Sequence, residues 1–140
     1  MRKRLIPVML VCCMLFSLLP LTTFAAQPEI LYPMWDNTRG VTATLSFNGN
    51  TGNVAVTIIG KSGVDNITAD IKLYYKNTSG SWVEIYNNWS YDVDQMTLTA
   101  TESFTGVEGR EYKIEVSGSV TKDGYAEPVS KTATATCPRS

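Results

Sequence analysis

From Val41 onward the chain alternates apolar and polar residues with a period of two, the pattern of strands that bury one face. Val41, Ala43, Leu45 and Phe47 alternate with Thr42, Thr44, Ser46 and Asn48. After a turn rich in Gly and Asn at 48–53, Val54, Val56 and Ile58 alternate with Ala55 and Thr57, which predicts a hairpin. The cleanest stripe is Ile67, Ala69, Ile71, Leu73 and Tyr75, backed by Thr68, Asp70, Lys72, Tyr74 and Lys76. Trp82 to Trp89 puts Val83, Ile85 and Trp89 on one face and Trp82, Glu84 and Tyr86 on the other, and 90–95 reads as a polar crossing. Met96, Leu98 and Ala100 mark a fifth strand, 104–110 a corner, and Tyr112, Ile114 and Val116 a sixth strand. Asp123-Gly124 is a hairpin turn signal, and Val129 to Cys137 closes the domain. The pattern therefore predicts an all-β, antiparallel sandwich of about seven short strands, over 41–137, since each strand must hide one face against a second sheet.

The first 25 residues read differently. Arg2, Lys3 and Arg4 precede an apolar run from Leu5 to Leu21, with Pro20 before a Thr-Phe-Ala-Ala stretch. That is the layout of a helical signal peptide, with Thr23 and Ala25 as the small residues before cleavage between Ala25 and Ala26. An uncleaved membrane anchor is the other reading of the run. Cleavage predicts a secreted, extracellular product with no membrane segment, and residues 26–40 then form a mixed lead-in. Three of the 12 basic residues leave with the leader, so nine face 13 acidic ones, a net of −4. Nucleic acid is not an expected partner of such a chain. Cys12 and Cys13 leave as well, so Cys137 lacks an intrachain partner: a free thiol, or half of a covalent dimer.

The run Glu108-Gly109-Arg110-Glu111-Tyr112-Lys113-Ile114 resembles the tyrosine corner of immunoglobulin-like domains. The resemblance implies that Tyr112 hydrogen-bonds the corner backbone and that Ile114 takes the inward site where antibody domains place a Cys. With the strand count, the layout is similar to an immunoglobulin/fibronectin-like sandwich as found in short secreted bacterial proteins. That likeness implies no activity. The other Cys of antibody domains is absent from the strand Val54–Ile59, and Trp82 falls late for their core Trp.

Chemistry is sparse. There is no His, which removes the usual general base and metal ligand. No Gly-rich loop leads into a helix, and neither a metal nor an organic cofactor is expected. Asp92, Asp94, Glu102 and Glu108 are the acids that a glycosidase or a calcium loop would draw on. A solvated acidic edge explains them as well, so the chain is not expected to be an enzyme. Three Asn sequons, at Asn66, Asn77 and Asn88, carry no glycan expectation in a chain this rich in Asn, Ser and Thr.

Aromatics give the sharper surface. If Ile71, Leu73, Tyr75, Val83 and Ile85 point inward, parity turns Tyr74, Trp82 and Tyr86 outward beside Lys72, Lys76 and Glu84. Flat rings flanked by charge can stack on a glycan or anchor a protein surface. Cross-strand packing that shields the sheet is the competing reading. The expected function is a secreted, non-catalytic binding or adhesion module using Lys72, Tyr74, Lys76, Trp82 and Tyr86. The alternatives are a small structural secreted protein without a ligand site and, behind it, a polysaccharide-active enzyme.

Overall fold

A computed structural model describes residues 34–140, apart from the side chains of Tyr86 and Asn87. The expected leader, its expected Ala25–Ala26 cleavage site and most of the lead-in lie outside the described residues. Seven strands follow one another: β1 Thr38–Asn48, β2 Thr51–Gly60, β3 Asn66–Lys76, β4 Trp82–Val93, β5 Thr97–Thr105, β6 Glu111–Lys122 and β7 Tyr125–Thr136. They form two antiparallel sheets, ordered β1-β2-β5 and β4-β3-β6-β7. The fold is an immunoglobulin-like β-sandwich. Its fourth strand pairs with β3, whereas constant-type immunoglobulin domains place the fourth strand in the other sheet.

Alternation dictates what each sheet buries. Val54, Val56, Ile58, Leu98 and Ala100 of the three-stranded sheet face Ile67, Ile71, Leu73, Ile114 and Val116 of the four-stranded one, all at most 2% exposed. Each such Val, Leu or Ile side chain contributes about 1.5–3 kcal/mol when removed from water. Turn chemistry sets the hairpins. Asp123 and Gly124 both take positive φ, 50° and 78°, as the two central residues of a type I′ turn must.

Four strands differ from the periodic reading: β5 continues to Thr105, into the expected corner, β7 starts at Tyr125 rather than Val129, and β1 and β4 are also longer. β1 starts at Thr38, with a register irregularity between Thr38 and Gly40, because the backbone there is held by β7 (below). β4 runs on to Val93, so most of the expected polar crossing is strand, with Tyr91 opposite Ala69 and Val93 opposite Ile67. Within β4, Ile71 pairs with Trp89 and Leu73 with Ile85. Three residues, 86–88, thus face Lys72 alone, a bulge that bends the edge of the sheet. Because the insertion adds two residues, Ile85 and Trp89 keep the same face.

The β5–β6 corner is built as the sequence motif implied. The Tyr112 hydroxyl accepts a 2.8 Å hydrogen bond from the Val107 amide, and Tyr112 and Ile114 are 2% and 0% exposed. The Tyr112 ring packs on Phe47 and Phe104, with centroids 5.5 and 5.1 Å away. Gly52 pairs with both phenylalanines across its strand. A Cβ there would sit 2.4 Å from the Phe104 ring, so the rings need the glycine. Cys137 lies beneath this cluster, 0% exposed, its own backbone bonded to Gly109 and Arg110. The covalent dimer through Cys137 therefore has no accessible thiol to form it. Replacing Tyr112 by Phe keeps the packing and orphans the Val107 amide, with an expected loss of about 1–3 kcal/mol. A urea titration of both proteins measures it.

Candidate functional site

The outer face of the four-stranded sheet is set by register. Tyr74 stands between Glu84 of β4 and Lys113 of β6, and Lys76 stands beside Trp82. Tyr74 and Trp82 do come together, and both are half-buried. One ammonium joins them: Lys113 Nζ lies 4.7 Å from the Tyr74 ring centroid and 4.9 Å from that of Trp82. Lys76 Nζ lies 5.5 Å from the Trp82 ring. Such contacts are worth about 0.5–1 kcal/mol each at exposed sites.

Acids balance these cations. Lys113 bonds Glu115 at 2.5 Å, Lys76 bonds Glu111 at 3.0 Å, and Lys72 lies 3.6 Å from Glu84. The Lys113 bond leads in holding the Glu115 carboxyl below its ordinary range; burial opposes it, and Tyr74 and Lys72 assist. Burial, and the Glu115 carboxylate next in weight, push the Tyr74 hydroxyl above the ordinary tyrosine value. The result is an electrically balanced patch of aromatic edges and ion pairs. The Lys72 and Lys76 pairs are exposed and are worth about 0–1 kcal/mol, whereas Lys113, with its side chain only 18% exposed, is the most firmly held of the three cations.

Of the five residues expected to form a face, Lys72, Tyr74, Lys76 and Trp82 are on it. Tyr86 belongs to the β4 bulge, and its side chain lies outside the described residues. Lys113 and Glu115 complete the patch. They were legible only as the polar face of another strand, since register alone brings Lys113 against Tyr74. A groove of about 380 Å³ adjoins the patch, lined by Lys76 to Thr78 and Val107 to Glu111. There the Arg110 guanidinium rests 4.5 Å from the Tyr75 ring centroid.

The candidate acids do not converge. Asp92 and Asp94 both accept from the Asn66 side-chain amide, at 2.6 and 3.0 Å. Glu108 takes a hydrogen bond from the Ser140 hydroxyl at the opposite end of the sandwich. Glu102 turns inward on β5 and accepts from the Tyr91 hydroxyl across the two sheets. Burial first, and Glu102 second, push Tyr91 up to about 12. Among the described residues, no three His, Cys, Asp or Glu side chains are grouped as a metal would need.

A second polar constellation escaped the sequence reading. Glu127 of β7 is 7% exposed and accepts from four donors: the amides of Asp36, Asn37 and Thr38 at 2.5, 3.2 and 2.9 Å and the Thr38 hydroxyl at 2.6 Å. Asn37 in turn donates to the carbonyls of Val120 and Tyr125. Burial alone would raise the Glu127 carboxyl, but the Thr38 hydroxyl and the three amides outweigh it and lower its pKa. This cluster fastens the entry of β1 onto β7 and leaves no donor free for a ligand.

No protein-family model matches this chain, and no curated protein matches it. Similar solved structures include a Parabacteroides merdae β-glucuronidase, at 12% identity and TM-score 0.38, over 70% of this chain and 13% of that one. The solution structure of CsgH from R. palustris is similar at 9% identity and TM-score 0.38, over 70% and 93% of the two chains. The CARDB domain of a Pyrococcus furiosus protein, in complex with di-metal ions, is similar at 14% identity and TM-score 0.37, over 78% and 99%. The chain thus spans only about an eighth of the glucuronidase.

Proposed function

We propose that this chain is a secreted, non-catalytic module that binds an extracellular ligand through the outer face of its four-stranded sheet. The observation that carries the reading is the shared ammonium: Tyr74 and Trp82 lie side by side against Lys113, on the face that the core does not use. Half-buried rings at the centre of a polar, ion-paired rim have the composition of an interface anchor. The leader supports export, and the balanced charge of the patch suits a neutral ligand such as an uncharged glycan.

The alternative is a structural secreted protein without a ligand site. Lysines already lying against both rings favour it, because packing alone accounts for them. A glycan array and a pull-down with the Tyr74→Ser/Trp82→Ser double variant separate the two. Binding by the wild type that weakens at least tenfold, about 1.4 kcal/mol, with the unfolding midpoint nearly unchanged, supports the module. No binding by the wild type, or equal binding by the variant, leaves the structural role.

A further inference from the structure

The two sheets end in four edge strands among the described residues: β1 and β5 in one, β4 and β7 in the other. Exposed edges present unpaired backbone groups and template pairing with other chains unless they are blunted. Three of these four are fastened, interrupted or outwardly charged; the fourth has only one inward-pointing charge to blunt it. The entry of β1 is fastened to β7 through Glu127, and β7 carries Pro128, which lacks a donor. β4 has its bulge at 86–88 and the charged residues Glu84 and Asp92.

β5 is different. Its nine residues pair with β2 in an unbroken register from Thr97 to Thr105. It contains no Pro, Gly, Lys or Arg, and its single charge, Glu102, is turned inward and held by Tyr91. Its outward residues are Thr97, Thr99, Thr101, Ser103 and Thr105, all exposed. They continue a charge-free face, since Thr99 lies in line with Thr57 and Thr42, and Thr101 with Ala55 and Thr44. Two mature copies, each with a net charge of −4, meet least repulsion here.

We infer that β5 is the pairing edge for a second copy of this chain, antiparallel about a twofold axis through Thr101. The strand is self-complementary in that register. Thr97 meets Thr105, Thr99 meets Ser103 and Leu98 meets Phe104, while Glu102 meets Ala100 rather than its own copy. Both copies use the same patch, as a closed twofold interface requires. The two three-stranded sheets become one of six strands with an uncharged outer face. The dimer is non-covalent, because Cys137 is buried. It leaves both aromatic faces free, so it stands or falls independently of the proposed ligand site.

Sedimentation equilibrium on the purified protein, with and without a thiol reductant, tests this. The wild type should form dimers whose affinity the reductant does not change. Thr101→Lys and Thr101→Glu each place like charges face to face at the axis, which destabilises a cross-strand pair. Each variant alone should self-associate at least tenfold more weakly, with its urea midpoint close to the wild type. An equimolar mixture should regain the dimer, because a lysine then faces a glutamate. A wild type that stays monomeric to millimolar concentration overturns the inference. So do charge variants that dimerise as tightly as the wild type, or a mixture that fails to recover association.

Discussion

Alanine at Gly118 is expected to cost about 3 kcal/mol or more, a large loss for an ordinary side-chain addition. Gly118 sits in the middle of β6, between Ala69 of β3 and Val129 of β7. A Cβ built there would lie 2.0 Å from the Thr68 carbonyl oxygen. Backbone is what it meets, so no side chain can swing aside. Either β3 and β6 part locally, losing the Ser119 amide bond to the Thr68 hydroxyl, or the strand twists away from the core. Valine should be worse and is expected to abolish cooperative unfolding. Urea titrations of Gly118→Ala measure the first effect. A loss below about 1 kcal/mol would mean that the two strands do not approach so closely. The exposed turn residue Gly80 has nothing within 4 Å of its Cβ position, but its φ of 85° makes it a poor control. Gly40, with open space and no positive φ, is the appropriate one.

Removing the Glu127 carboxylate is the second large effect. Alanine leaves three backbone amides and one hydroxyl without their acceptor in a nearly dry site, and hydrogen bonds to a charged group are worth about 1.5–3 kcal/mol. A loss of about 3 kcal/mol is expected. Glutamine should fall between, since one carbonyl oxygen cannot serve four donors and its amide adds donors of its own. The pH dependence distinguishes charge from shape. The folded carboxyl titrates below its ordinary value, so the unfolded chain binds its proton first as pH falls. The stabilisation is therefore fully present above the unfolded value, about 4.3, and disappears as pH drops through the lower folded one. The gap between wild type and Glu127→Gln should be widest at neutral pH and should narrow below about pH 4. Thermal melts across that range show it. A gap independent of pH would assign the effect to packing.

How far the chain could be read in advance depends on the distance over which each feature is written. The tyrosine corner was legible because its hydrogen bond spans five residues, Val107 to Tyr112, and a local motif can carry that. The aromatic face was legible because Tyr74 and Trp82 follow from parity on one hairpin. The Glu127 cluster was not, since its bonds join residues about 90 positions apart, and Glu127 reads locally as one more exposed acid near a proline. The β4 bulge escaped for a geometric reason: two extra residues return the strand to the same phase, so alternation cannot count them. Asn66 likewise binds Asp92 and Asp94 only because β3 and β4 are neighbours, and that contact changes two apparent ligand acids into a closed surface cluster.

Side-chain period and turn residues are properties of short stretches of chain, and they were enough to dictate seven strands, their inward faces and the all-β class. Which strand lies beside which is another matter. Loop lengths allow β4 to join either sheet, and only the packing of both sheets at once put it next to β3 and left β5 as a bare edge. The same closure buried Cys137, brought Lys113 over two rings and drew a glutamate onto the start of β1. Those outcomes belong to the folded molecule because each depends on backbone atoms that meet only after the layers have closed.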